Sequence, residues 1–314
     1  MDQRSTIDGR AGGMMLLLCA IWGVQQVVLK AVAADIAPIL QIAFRSGLAA
    51  IMVFVLMLAR GERMSLRGGA WRPGILVGVL FAMEFLLVGE GLRYTSASHM
   101  VMFLYTAPIF AALGLHWKLP AERLHPMQWI GIAIAFAGIV TAFTGRNPDA
   151  VSAAGSNPLL GDLLGVAGGM AWGATTVVVR CSRLARASVT ETLLYQLVGG
   201  FILLMLAALL LGQTGFTMTP AVWGSLIFQV VLVSFASFLA WFWLLRHYLA
   251  SRLGVLSFMT PLFGISFGVL LLGEPLEKNF ISGGLLVLIG ILLVSGYEWF
   301  MQLLVRYKKN STRR

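Results

Sequence analysis

The sequence predicts an all-α membrane protein with ten transmembrane helices, built from two five-helix repeats of inverted topology. Three observations predict it. Of 314 residues, 59% are hydrophobic and only 11% are charged, whereas soluble domains carry about 25% charge. A soluble fold of this length has a sizeable core, but not one able to hide so much apolar surface. The chain is also written twice. Trp22-Gly23 returns as Trp172-Gly173, Glu84-Phe85-Leu86 as Ser237-Phe238-Leu239, and Leu92-Arg93 as Leu245-Arg246. Ala97-Ser98 returns as Ala250-Ser251, Pro108 as Pro261, and Glu122, Gly131 and Gly138 as Glu274, Gly283 and Gly290. The offset holds at about 150 residues, which marks an internal repeat. Finally, the basic residues fall on one side of the predicted spans.

A bilayer core needs about 20 apolar residues per helix. Ten runs qualify, at 14–33, 38–59, 73–92, 97–116, 126–144, 159–179, 191–211, 222–245, 252–272 and 279–300. The first carries Trp22-Gly23 and so belongs to the repeat, unlike a cleaved leader. Very short polar breaks separate runs three and four, and runs eight and nine. Residues 145–158, rich in Gly, Ser, Pro and Ala, link a first repeat at 14–144 to a second at 159–304. Residues 305–314 form a basic tail. In the sixth run Gly161, Gly165, Gly169 and Gly173 recur every fourth residue, a face for close helix contact. Gly131 with Gly138, and Gly283 with Gly290, are packing positions in the fifth and tenth.

With the N-terminus in the cytoplasm, eighteen of the 23 Lys and Arg face the cytoplasm. Only Arg93, Arg146 and Lys278 face outward, and Lys30 and Arg45 lie within spans. This positive-inside bias predicts that both termini are cytoplasmic. Five spans per half is an odd number, so the second half enters the membrane inverted. The net charge of +10 is spread over short loops and does not form a nucleic-acid-binding face. Cys19 and Cys181 give no disulfide framework.

In order and doubling, these motifs resemble EamA-type members of the drug/metabolite transporter superfamily. The matching elements are Trp22-Gly23 followed by Lys30, Pro38 followed by Arg45, Tyr105-Thr106-Ala107-Pro108, and Glu122 ahead of Gly131 and Gly138. In the second half they are Trp172-Gly173, Thr260-Pro261, and Gly273-Glu274-Pro275 ahead of Gly283 and Gly290. The resemblance implies a ten-helix bundle with a central cavity, and export of small metabolites such as amino acids or drugs from the cytoplasm. It leaves substrate and proton coupling open.

Ionisable groups are costly inside a bilayer, so those present are candidates for function. Glu84 lies about 16 Å past Pro73, and Arg45 about 10 Å past Pro38, at 1.5 Å per residue. Their similar depths predict one shared interior and a pairing between them, as a site for substrate charge or protons or as a lock between helices. Desolvation disfavours a charged carboxyl and a nearby guanidinium favours it. The second half has no matching charge, so neutral hydrogen bonding is expected there from Thr175, Thr176, Gln196, Gln229 and Ser237. Gln25 and Gln26 add amides in the first span. Trp22 and Trp172 sit mid-span, either walling a cavity or packing against neighbours. Pro108 and Pro261 each remove a backbone donor inside a span and are hinge candidates. Glu90 and Arg93 suit a local ion pair, Lys30 snorkels, and His99 is expected to be solvated near the outer boundary.

The expected partners are a small-molecule substrate, membrane lipid and protons. No cofactor or metal is expected, and a ten-span bundle encloses a path as a monomer. Movement of a lipid-linked substrate is an alternative. An intramembrane enzyme is a weaker one, because H-E-x-x-H, G-x-S-x-G, paired-aspartate and ATP-binding signatures are missing. Asp2, Asp8, Asp35, Asp149 and Asp162 are expected in loops or at span edges.

Overall fold

The computed structural model describes residues 9–62, 64, 69–120, 123–144, 157–248, 256–257 and 259–311. It is helical throughout. Among the described residues the only β feature is an isolated bridge between Ile36 and Phe216. The first half holds α1 (Gly9–Ala31), α2 (Pro38–Ala59), α3 (Trp71–Tyr94), α4 (Ala97–Leu104), α5 (Ala107–Lys118) and α6 (Pro126–Thr144). The second holds α7 (Pro158–Cys181), α8 (Val189–Leu210), α9 (Pro220–Ile227), α10 (Phe238–His247), α11 (Met259–Leu272) and α12 (Lys278–Ser311).

Seven segments are long and apolar enough to cross a membrane, and they coincide with seven of the ten expected runs. The other three runs fall on shorter apolar helices, Pro126–Ala142, Met259–Leu272 and Lys278–Val294. Outward-facing Leu, Ile, Val and Trp side chains cover the described helices, as expected where the solvent is lipid.

The third and fourth runs do part at a short break. Ser96 accepts a hydrogen bond from the His99 amide and caps α4. The fourth run is itself divided at Tyr105–Thr106. Pro108 is therefore the second residue of α5, where a helix has unpaired amides in any case, and not the interior kink expected. Pro261 lies in α11, and residues 256–257 ahead of it are helical as well. Glu122 and the start of the ninth run at 252–255 lie outside the described residues.

The eighth run departs most from expectation. Between α9 and α10, residues Phe228–Ser237 form a π-helix, where a regular α-helix was predicted. Its wider turn carries buried Gln229, Ser234 and Ser237. Long π segments are rare and concentrate at functional sites.

Glycines set the closest approaches. Where α6 packs along α12, a Cβ on Gly138 would lie 2.6 Å from the Gly283 carbonyl, and one on Gly131 would lie 2.8 Å from that of Gly290. A Cβ on Gly23 of α1 would meet Phe263, Gly264 and Thr260 of α11, and one on Gly173 of α7 would meet Phe110, Ala111 and Ala107 of α5. Both cysteines are free; Cys19 is buried and Cys181 exposed.

Because neither backbone at the α6–α12 crossing can yield, Gly138→Val should cost about 1–3 kcal/mol by overpacking. A Cβ added to Gly224 of α9 would meet nothing within 4 Å, so Gly224→Ala should be neutral or stabilise by up to about 1 kcal/mol. Thermal midpoints of the purified variants check both.

Candidate functional site

Arg45 stands two turns into α2 and has 0% exposure. Lipid offers no partner to a guanidinium, so the neighbouring helices must. Nη1 donates to Oε1 of Gln229 at 2.7 Å. The guanidinium lies over the Phe85 ring, 4.3 Å from its centroid, a cation–π arrangement. Gln229 donates in turn through Nε2 to the Gln25 carbonyl at 3.0 Å. One amide thus joins α2 of the first half to the π-helix of the second and to α1. One turn away, Gln41 donates to the Ser225 hydroxyl. The two rungs repeat at the spacing of parallel helices.

Glu84 of α3 is buried beside Phe85, at 5% exposure. Glu84 and Arg45 face one another closely enough to interact electrostatically, but no salt-bridge contact joins them among the described residues. The guanidinium instead spends Nη1 on a neutral amide and its face on the ring. Gln26 is buried with no donor to its Oε1 among the described residues.

Trp22 donates through Nε1 to the Ser237 hydroxyl at 2.8 Å and meets Trp241 edge-on, with centroids 5.5 Å apart. The Ser237 hydroxyl donates in turn to the Val233 carbonyl at 2.5 Å. Trp172 meets Tyr105 edge-on at 5.2 Å, beside the break between α4 and α5. Thr175 and Thr176 donate back to the carbonyls of Ala171 and Trp172 in their own helix, so their donors are spent. Gln196 is half-buried on α8. No described hydrogen bond brings these last three to Arg45. Sequence reasoning missed Gln41, Ser225 and Phe85. Gln41, four residues before Arg45, was detectable as a second polar group on one helix face.

A second buried polar cluster ties the helix ends near Thr95. His99 was expected to be solvated, but is 5% exposed. Its Nδ1 lies 3.0 Å from Asp162 Oδ2, and its ring stacks on Phe280 with centroids 3.9 Å apart. Asp162, expected at an edge, has 0% exposure and accepts from the Thr95 hydroxyl at 2.5 Å. Glu274 accepts from the amides of Ala97 and Ser98 at 2.7 and 2.9 Å, and from the Ser98 hydroxyl at 2.6 Å. It satisfies the first amides of α4, where a helix favours negative charge. Lys30 does not snorkel; it donates to the Leu92 carbonyl at 2.5 Å and to that of Thr95, where α3 ends and favours positive charge. The local pair of Glu90 and Arg93 is present at 2.9 Å.

No group of metal-ligating side chains occurs among the described residues. A cleft of about 390 Å³ between α3, α5 and α7, lined by Arg72, Lys118 and Val177, lies at the opposite helix ends from Thr95 and does not reach Arg45. Gln229→Leu should leave the buried guanidinium without its hydrogen bond and cost roughly 1.5–3 kcal/mol, seen as a lowered thermal midpoint. Gln229→Glu, which keeps an acceptor, should recover most of it. Thr176→Val should change little.

The family model of the EamA-like transporter family matches residues 10–144 and 159–296. The uncharacterized transporter YoaV of Bacillus subtilis is 24% identical over 275 residues, covering 87% of this chain and 92% of its own. The uncharacterized inner membrane transporter YedA of Escherichia coli is 24% identical over 298 residues, with 92% of each covered. One solved crystal structure shares the fold at a TM-score of 0.63 and 19% identity, covering 91% of this chain and 97% of that one. A match that takes in both halves, on a bundle of apolar helices, shows that the chain belongs to the EamA-like transporter family.

Proposed function

We propose that the chain is a secondary transporter that exports a small organic solute, an amino acid or a drug-like metabolite, across the cytoplasmic membrane by alternating access. The observation that carries this reading is a charged site with no exposure, bridged between the two halves by Arg45 and Gln229. A solute reaches such a site only if helices move. Glu84, beside it, is the candidate for substrate charge or a coupled proton. The chain acts without a catalytic residue and, with its path enclosed, as a monomer.

Ten spans in two inverted repeats supply the movement. The contact pattern supports that topology. The Gly23 neighbours Thr260, Phe263 and Gly264 match the Gly173 neighbours Ala107, Phe110 and Ala111, each shifted by the repeat offset. At the α6–α12 crossing, Gly131 meets Gly290 and Gly138 meets Gly283. Exchanging the repeats turns each pair into the other, as a twofold axis between them requires. With both termini cytoplasmic, the cluster of Lys30, Thr95, His99, Asp162 and Glu274 closes the outer end. Opening outward then means breaking it.

The test compares solutes inside and outside cells carrying the parent chain, Glu84→Gln at matched membrane level, or an empty vector. The expected result is a solute expelled by the parent alone, at least tenfold less by Glu84→Gln. Equal export by both proteins removes Glu84 from the cycle, and no difference between parent and empty vector counts against transport of these solutes. Orientation has its own check. Exposed Cys181 ends α7 on the side predicted to be cytoplasmic. A membrane-impermeant maleimide should label it in inside-out vesicles and not in right-side-out ones; the reverse would invert the topology.

A further inference from the structure

Arg45 uses only part of its hydrogen-bonding capacity. Nη1 is held by Gln229 and one face by Phe85. Nε and Nη2 have no hydrogen-bond partner among the described residues, although the side chain has 0% exposure. An unmet donor on a buried cation is costly, so an acceptor arriving from outside the chain gains most at this edge. The geometry selects the acceptor. Nε–H and Nη2–H point in parallel from one side of a rigid plane, and this fork fits two oxygens on one carbon. A carboxamide offers it one oxygen and a clashing donor.

No described residue of the chain fills the edge. The Glu84 carboxylate is buried close by, yet makes no salt bridge with Arg45 among the described residues. Gln229 supplies its single amide oxygen to Nη1. Gln26 on α1 and Gln41 on α2 each bury an amide oxygen with no donor among the described residues. Arg45 therefore presents an anion-binding fork, and the adjoining helices bury two further amide oxygens.

Resting on the transporter reading above, we propose that the solute carries a carboxylate and that Arg45 binds it in bidentate fashion through Nε and Nη2. Phe85 and Gln229 position the fork. An ionised Glu84 repels this carboxylate, so a solute ammonium beside Glu84, or a proton on it, accompanies binding.

The probes are matched acids and carboxamides: L-amino acids against their α-amides, which keep the ammonium, and benzoate against benzamide. Each is added to the purified full-length chain in lipid nanodiscs, and binding is read from the thermal midpoint over a concentration series. The expected result is at least one acid that binds tenfold or more tightly than its amide. Arg45→Lys, which keeps the charge and loses the fork, should remove that preference. Amides binding as well as acids, or no acid binding at all, overturns the proposal. So does a preference that survives in Arg45→Lys. If that variant does not assemble, the acid–amide comparison on the parent chain decides. Export only of solutes that lack a carboxylate sinks the proposal and leaves the transporter reading standing; absence of any export sinks the transporter reading itself.

Discussion

A guanidinium buried among apolar helices has to be held by other parts of the same chain. Arg45 has 0% exposure, and the hydrocarbon core of a bilayer has no acceptor to offer. Arg45 meets this constraint through Gln229, whose amide both accepts from the cation and donates to the Gln25 backbone. Three helices from two halves are tied at that point. The Gln41–Ser225 contact one turn away keeps α2 and the eighth run in register, and Phe85 brings α3 against the same charge. The π-helix at Phe228–Ser237 supplies the turn from which Gln229 reaches inward.

Close helix packing and polar satisfaction meet different needs in this bundle. The glycine crossings at α6–α12, α1–α11 and α5–α7 bring backbones together with no polar side chain at the closest contact. Such interfaces gain from van der Waals packing and can shift without stranding a charge. The Thr95 cluster is the opposite case. Asp162, Glu274 and Lys30 each make contacts across elements, so separating those helices strands several polar groups at once. An assembly that opens at one end and hinges elsewhere would be expected to combine the two kinds of contact.

The helices were legible because hydropathy and the repeat reinforce one another over long runs. Arg45 and Glu84 were legible as buried charges, since few ionisable residues occur so far from a span end. Their partners were not. Hydropathy fixes depth along a helix but leaves its rotation and neighbours open, so the sequence supported a direct pair where Arg45 donates instead to Gln229. His99 and Asp162 lie within a few residues of their helix starts, which suggested water, but α12 covers that end and places Phe280 on the imidazole. The π-helix has no composition signal, because Phe228–Ser237 is as apolar as any regular span. The break at Tyr105–Thr106 was anticipated only as a kink at Pro108.

Alternating access, as proposed, requires the polar interior to open by turns to the two sides of the membrane. Ser237, buried against Trp22, is suited to report it. Ser237→Cys, in a chain with Cys19 and Cys181 replaced by Ser, would be exposed in sealed oriented vesicles to a membrane-impermeant thiol reagent from either side. Alternating access predicts labelling from both sides, with the ratio shifted by a gradient of transported solute. No labelling from either side, with or without solute, would make this interior a static core and contradict the account.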